Sequence, residues 1–86
     1  MRLYWTPEAL ADLEELAERA RTQAERVVDA MEWMAAVGFS LGRPMTRAGL
    51  AERYWSVPPQ GVYYYVDGDL LIVTRIHDAR RRRRPW

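Results

Sequence analysis

The spacing of apolar residues changes once along this chain of 86 residues, at Gly38. Before Gly38, apolar side chains recur mainly every three or four residues, which is the period of an amphipathic helix. After Gly38, they follow the alternation and short continuous runs that are typical of strands. A chain of this length forms a single domain. The two patterns together predict one α+β domain that combines helices with a sheet.

Two helices are predicted before Gly38. Thr6 has the side chain of a helix N-cap and is followed by proline, so we place the first helix at residues 7–21. A capping-box sequence at residues 22–25 begins the second helix, which extends over residues 23–37. Because the junction is so short, the two helices form a hairpin whose apolar stripes pack on a sheet.

Four strands are predicted, and a loop at residues 38–49 separates the first from the others. Asp67-Gly68 favours a tight hairpin between the last two strands. The last strand is apolar on both faces, which places it inside the sheet. Strict alternation puts Ile76 on the face of Ile72, and Arg75 and His77 on the opposite face. The predicted strands are residues 2–5, 51–57, 62–66 and 69–77. The predicted order is β-α-α-β-β-β, with the helical hairpin packed on a mostly antiparallel four-stranded sheet.

Charge divides the chain into two halves. Residues 1–37 hold four Arg and eight acidic residues, whereas residues 38–86 hold nine Arg and four acidic residues. On the first helix, Asp12 and the neighbouring glutamates take the positions outside the apolar stripe. We therefore predict a domain at residues 1–79 and a basic tail at residues 80–86. Five consecutive arginines in the tail would bind phosphates with a log–log salt slope of about −4.5. They would equally suit an acidic protein segment, or serve as a solvated tail.

Several function classes are excluded by composition. The chain has no cysteine and a single histidine, so it lacks a zinc ligand set, a disulfide and a thiol nucleophile. No glycine-rich phosphate loop is present, and Asp67-Gly68-Asp69 is a turn rather than a metal site. We expect no cofactor and no metal. No apolar run approaches the roughly 20 residues of a membrane helix, and residues 1–5 lack the apolar h-region of a signal peptide, so a cytoplasmic location is expected.

The order of these elements and a set of short motifs resemble the ParE/RelE superfamily of type II toxin–antitoxin toxins, also called plasmid stabilisation proteins. The resemblance covers nearly the whole chain. It implies a compact toxin that an antitoxin neutralises by laying a helical or extended segment against the hairpin and the sheet. The motifs are Thr-Pro-Glu-Ala-Leu at 6–10, Leu-Gly-Arg-Pro at 41–44, Gly49-Leu50, Val62 to Asp69 and Ile72 to Arg80.

The chain departs from the ribonuclease members of that superfamily. Those members often carry an arginine just before the tyrosine-rich strand, where this chain has Gln60-Gly61, and they draw on lysine, which this chain lacks. Many members have two residues between the strand arginine and the next histidine, whereas one residue separates Arg75 from His77. The expectation is therefore a ParE-like toxin that binds DNA gyrase and forms a hetero-oligomer with its antitoxin. The alternatives are a RelE-like endonuclease that cuts mRNA on the ribosome, and a nucleic-acid-binding or inactive toxin-like module.

Candidate site residues follow from the two mechanisms. Metal-free RNA cleavage needs a base, an acid and cations around the phosphate, and His77 is the side chain suited to proton transfer near neutrality. Arg75, Arg80 and Arg53 would supply the cations. Arg75 is also expected to pair with a carboxylate or with the antitoxin. The residues predicted to bind the target or the antitoxin are Arg75, Arg80, Arg81, Arg82, Arg83, Arg84, Trp86 and Trp33.

Overall fold

A computed structural model describes residues 1–38, 43–44 and 52–80 of the chain. These residues form two helices and five strands. The elements, in chain order, are β1 (Arg2–Trp5), α1 (Pro7–Arg19), α2 (Arg21–Val37), β2 (Arg43–Pro44), β3 (Arg53–Val57), β4 (Gln60–Asp67) and β5 (Leu70–Asp78).

The helical hairpin forms as predicted, but the junction lies earlier, because α1 ends at Arg19 rather than at residue 21. Thr6 is the N-cap of α1, and its side chain accepts a hydrogen bond from the N–H of Ala9. α2 begins two residues earlier than predicted, because its N-cap is Ala20 and the capping box is not used. Gly38 ends α2 in the left-handed conformation (φ 81°), where its N–H bonds to the carbonyl of Met34.

The sheet has the order β1-β5-β4-β3-β2. β1 is parallel to β5, and the other neighbours are antiparallel. The four predicted strands and the internal position of β5 are confirmed, and the two-residue β2 is an addition within the predicted loop. The meander formed by β3, β4 and β5 therefore stands as the sequence indicated.

One core lies between the hairpin and one face of the sheet. Both helices and the three meander strands contribute to it, and Tyr64 is the largest of its fully buried side chains. Leu3 and Trp5 of β1 and Trp55 of β3 pack at its margin. The principal core residues are Ala9, Leu16, Ala24, Val27, Met31, Met34, Val57, Val62, Tyr64, Leu71, Val73 and Ile76.

A β-bulge in β5 overturns the predicted alternation. Tyr64 pairs with Val73 and Tyr63 pairs with Arg75, so Thr74 has no residue opposite it. An extra residue in one strand reverses the facing of everything that follows. Ile76 therefore joins the core on the side of Val73, rather than sharing a face with Ile72 as predicted.

Candidate functional site

The edge of β5 beyond the bulge is held by a carboxylate from α1. β1 ends at Trp5, opposite Val73, so β5 continues beyond it. There Asp12 accepts hydrogen bonds from the N–H of Ile76 (2.9 Å) and from the Nε (2.8 Å) and Nη2 (3.2 Å) of Arg75. This bidentate contact raises the pKa of Arg75, mainly through the hydrogen bond to Asp12. The prediction that Arg75 pairs with a carboxylate is confirmed within the chain itself.

The N-cap residue of α1 also binds the backbone of the bulge. The hydroxyl of Thr6, which caps α1, also donates to the carbonyl of Thr74 (3.2 Å). The hydroxyl of Thr74 in turn donates to the carbonyl of Tyr63 (3.0 Å). We call Thr6, Asp12, Thr74 and Arg75 the bulge clamp, because they fix the bulge and tie it to α1.

The face of the sheet opposite the helices carries a cluster of rings. Tyr54 and Tyr63 make an edge contact with centroids 5.1 Å apart, and Tyr63 lies 5.3 Å from the ring of His77. Both nitrogens of His77 are shielded from solvent. We call these three rings the aromatic cluster. Tyr63 is buried at 3% exposure, and the imidazole predicted as the group for proton transfer packs against it.

The aromatic cluster requires glycine at position 61. A Cβ on Gly61 would lie 2.5 Å from Cε1 and 2.7 Å from Cζ of Tyr54, well inside van der Waals contact. The neighbouring Gln60 is buried at 2% exposure. The place where ribonuclease members often carry an arginine is therefore occupied by a buried amide and by a backbone that Tyr54 covers.

A second ion pair lies at the end of β5. Asp78 is buried and accepts hydrogen bonds from Nη2 (2.6 Å), Nε (2.9 Å) and the backbone N–H (2.9 Å) of Arg80. The guanidinium of Arg80 holds the pKa of the Asp78 carboxyl far below its usual range, and the pKa of Arg80 is raised in turn. Arg80, predicted as the first residue of a basic tail, is therefore anchored to the sheet.

Arg53 does not share a face of the sheet with the other strand residues of the nuclease hypothesis, Arg75 and His77. Arg53 is paired with Tyr64, a core residue, so its Cβ points to the helical side of the sheet. His77 is paired with Gly61 and lies on the opposite side, with Tyr63. Trp33 lies on α2 and is 55% exposed, and its role as a binding residue stays a prediction. The predicted binding residues Arg81, Arg82, Arg83, Arg84 and Trp86 lie outside the described residues.

The sequence did not indicate Asp12, Tyr54 or Gly61 as residues of this region. It indicated Thr6 as a helix N-cap but not as a partner of the bulge. Asp12 was placed on the solvent face, yet its side chain is 17% exposed. A signal was available, because Asp12 lies three residues after Ala9 and four before Leu16, the two buried residues of α1. A carboxylate at that spacing faces the sheet and needs a partner there.

The residues that the structure describes contain no group of three or more His, Cys, Asp or Glu side chains that could hold a metal ion. None of the helices described is both long and apolar enough to span a membrane.

Solved toxin structures share this fold. A YoeB/ParE toxin from Agrobacterium tumefaciens has a TM-score of 0.73 at 19% identity, over 91% of this chain and 98% of that chain. The chromosomal ParDE toxin–antitoxin system of P. aeruginosa gives 0.70 at 23% identity, over 91% and 95%. The RelBE2 toxin–antitoxin complex of Mycobacterium tuberculosis gives 0.72 at 19% identity, over 90% and 95%.

A search of curated proteins found no significant match to the chain. A family model, described as the ParE toxin of the type II toxin–antitoxin system parDE, matches residues 3–83. That match includes both helices, the whole meander and the two ion pairs of β5. The chain therefore belongs to the ParE toxin family of type II toxin–antitoxin systems.

Proposed function

We propose that this toxin inhibits DNA gyrase by binding to it, in the cytoplasm, and that it performs no covalent chemistry of its own. The observation that carries the proposal is that the side chains of Arg75 and His77 are both engaged in contacts within the chain. Arg75 is bound by Asp12, and His77 is packed at a tilt against Tyr63 with both nitrogens shielded from solvent. A ribonuclease site of this type needs those groups presented to a phosphate and a 2′-hydroxyl.

The packing of Tyr54 against Gly61 supports the same proposal. A catalytic cation at this position would have to project from the sheet, whereas Tyr54 lies over the glycine backbone. Arg53 and His77 point to opposite faces by register, so they would not converge on one phosphate. The exposed Trp33 and the arginine-rich end of the chain are instead side chains of the kind that dominate the binding energy of protein–protein contacts.

The proposed partners are the target enzyme and an antitoxin. Two of the similar structures are described as the RelBE2 complex of M. tuberculosis and the YoeB–YefM complex of Staphylococcus aureus, both toxin–antitoxin pairs. We propose that this chain likewise forms a hetero-oligomer with a cognate antitoxin. The predicted arginine tail, residues 80–86, would contribute to target or antitoxin binding from its anchored first residue, Arg80.

Controlled expression tests the proposal. Induction in a bacterial host that lacks the antitoxin is expected to cause filamentation and double-strand DNA breaks. In the first minutes, the rate of protein synthesis measured by pulse labelling should be unchanged and the transcripts should remain intact. His77→Gln should keep this toxicity, because glutamine fills a similar volume and the proposal gives His77 no proton to carry.

Rapid translation arrest with cut transcripts, abolished by His77→Gln, would replace the proposal with the RelE-like endonuclease. The relatives include RelBE2 and YafQ, and His77, Arg75 and Tyr63 share one face by register, so the alternative has a definite site. Unimpaired growth at full soluble expression would favour the inactive module.

A further inference from the structure

α1 and the second half of β5 run side by side. Near the start of α1, the hydroxyl of Thr6 donates to the carbonyl of Thr74. Further along the helix, Asp12 accepts a hydrogen bond from the N–H of Ile76. Because these contacts advance along both elements in the same order, the last turn of α1 and the end of β5 lie at the same end of the domain.

A buried carboxylate at the end of β5 holds an arginine in a fixed orientation. Asp78 binds the Nη2 and Nε of Arg80 at 2.6 and 2.9 Å, and the side chain of Arg80 is nevertheless 71% exposed. A guanidinium has five N–H groups, and this contact uses two of them. The other three face away from the buried carboxylate, in the planar fork that suits a phosphate.

Arg19, in the last turn of α1, adds a second cation at this end of the domain. The pKa of Asp78 is lowered mainly by its hydrogen bonds with Arg80 and also by the charge of Arg19, so Arg19 lies near the Asp78–Arg80 pair. Its side chain is exposed. In the part of the chain that the structure describes, no ion pair involves Arg19, so its charge is available to a ligand.

The sequence continues from Arg80 with four more arginines. Extended chain advances about 3.4 Å per residue, which is also the spacing of phosphates along one DNA strand. Asp78 is the one acidic residue between positions 70 and 86, and Arg80 already binds it, so the sequence neutralises none of the four. We call Arg19, Arg80 and the four arginines at 81–84 the basic cluster.

We infer that the basic cluster binds the phosphates of duplex DNA without reading its sequence. Duplex DNA carries about one negative charge per 1.7 Å of helix axis, and contacts to phosphate carry no sequence information. Six arginines predict a log–log salt slope of about −5.4, steeper than the slope expected for residues 80–84 alone. The inference deepens the proposed function, and it rests on that function only in taking gyrase-bound DNA to be the natural ligand.

Other polyanions fit the basic cluster less well. Single strands are held by stacking of bases on exposed rings as well as by cations. The exposed Tyr4 and Tyr65 both pair with Ile72, which lies about 20 Å before Asp78 along β5, and the exposed Trp33 lies in the second half of α2. An acidic protein surface carries fewer charges per unit length than a phosphate backbone, so it would engage fewer of the arginines.

Fluorescence anisotropy with the full-length toxin and labelled 20-base-pair duplexes tests the inference. Two duplexes of unrelated sequence should bind equally, and their affinity should fall with a slope of about −5.4 between 50 and 200 mM salt. One strand of the duplex, or a glutamate-rich peptide of 20 residues, should bind about tenfold more weakly at 100 mM salt. No binding of the duplexes at 50 mM salt, or equal binding of the strand or the peptide, would overturn the inference.

Two matched variants test whether the folded domain contributes to the site. Arg19→Gln should weaken duplex binding at least threefold at 100 mM salt and make the slope shallower by about 1. Arg2→Gln makes the same change of charge on an exposed residue opposite Leu70, at the other end of β5, and should have less than half of that effect. Equal effects would mean that DNA responds to net charge alone, and would overturn the inference.

Replacing residues 81–84 with glutamine tests the rest of the basic cluster. The slope should become shallower by about 3.6, and duplex binding at 100 mM salt should fall below detection. An unchanged affinity would overturn the inference.

Supercoiling by purified gyrase separates this inference from the proposed function. A toxin that inhibits gyrase but does not bind the duplexes would overturn the inference and leave the proposed function standing. A toxin that binds the duplexes and leaves gyrase active would do the reverse. The result expected is that Arg19→Gln weakens gyrase inhibition and duplex binding together, whereas Arg2→Gln preserves both.

Discussion

The two halves of β5 are held in different ways. Residues 70–73 lie between β1 and β4, and their inward side chains, Leu71 and Val73, are fully buried. Beyond the bulge at Thr74, β1 is no longer alongside, so residues 75–78 pair with β4 at one edge, while at the other edge Asp12 of α1 binds Arg75 and the N–H of Ile76. The first half follows from hydrophobic alternation, whereas the second depends on particular hydrogen bonds and ion pairs.

The difference matters because the second half of β5 contains Arg75 and His77, which the sequence indicated as candidates for catalysis. Arg75 completes the bulge clamp, His77 packs in the aromatic cluster, and Asp78 anchors Arg80. Groups that could serve catalysis are used here to hold a strand that has lost a neighbour. This use of β5 is the structural reason to favour a toxin that binds over one that cleaves.

The largest effect is expected from removing the carboxylate of the bulge clamp. Asp12→Ala leaves Arg75 and the N–H of Ile76 without their shared acceptor and should lower the free energy of unfolding by about 2 kcal/mol. In a domain of this size that corresponds to a Tm lower by roughly 10 °C. Thermal denaturation followed by circular dichroism measures it.

Two controls sharpen that measurement. Asp12→Asn keeps an acceptor for Ile76 but loses the charge, so its loss should be about half as large. Glu15→Ala, on the exposed side of the same helix, should change stability by less than about 0.5 kcal/mol. If Asp12→Ala behaves like Glu15→Ala, the second half of β5 does not depend on the clamp.

A smaller effect is expected at Gly61. Gly61→Ala forces the ring of Tyr54 away from its place against Tyr63 and should lower the free energy of unfolding by about 1–2 kcal/mol. In a Tyr54→Ala background the same substitution should cost much less, since the obstacle is gone. Urea denaturation of the four proteins gives the coupling between the two sites. Additive effects would mean that Tyr54 does not constrain residue 61.

The smallest effect is expected at Asp78, and it depends on pH. Its folded-state pKa is depressed by Arg80, so the pair adds stability above the unfolded pKa of about 3.9 and loses it as the pH falls. Asp78→Asn should therefore lower the Tm by a few degrees at pH 7. The difference in Tm between Asp78→Asn and the wild type should shrink progressively below about pH 4. A difference in Tm that is constant from pH 7 to pH 3 would contradict the role of the charge.

Hydrophobic periodicity was sufficient to predict the hairpin, the meander and the internal position of β5. It placed Gly38 as the end of α2 and both strands beside Asp67-Gly68. The bulge at Thr74 could not be predicted in this way, because one inserted residue leaves both faces of β5 apolar. Because the bulge was not predicted, the facing of Ile76 and the role of Asp12 could not be predicted either.

The candidate site was predicted in part. Arg75, His77 and Arg80 were selected because of their side-chain chemistry, and the structure shows which groups surround them. Tyr54 over Gly61 depends on cross-strand register, which follows from the turn at Pro58–Pro59 rather than from any local motif.

The most direct test of the central claim uses purified toxin, purified DNA gyrase and programmed ribosomes in parallel. We predict that the toxin at equimolar ratio inhibits supercoiling and leaves linear DNA when the trapped enzyme is digested, while mRNA on the ribosomes stays intact. Unaffected gyrase together with mRNA cut at defined sites, and loss of that cutting in His77→Gln, would contradict the account.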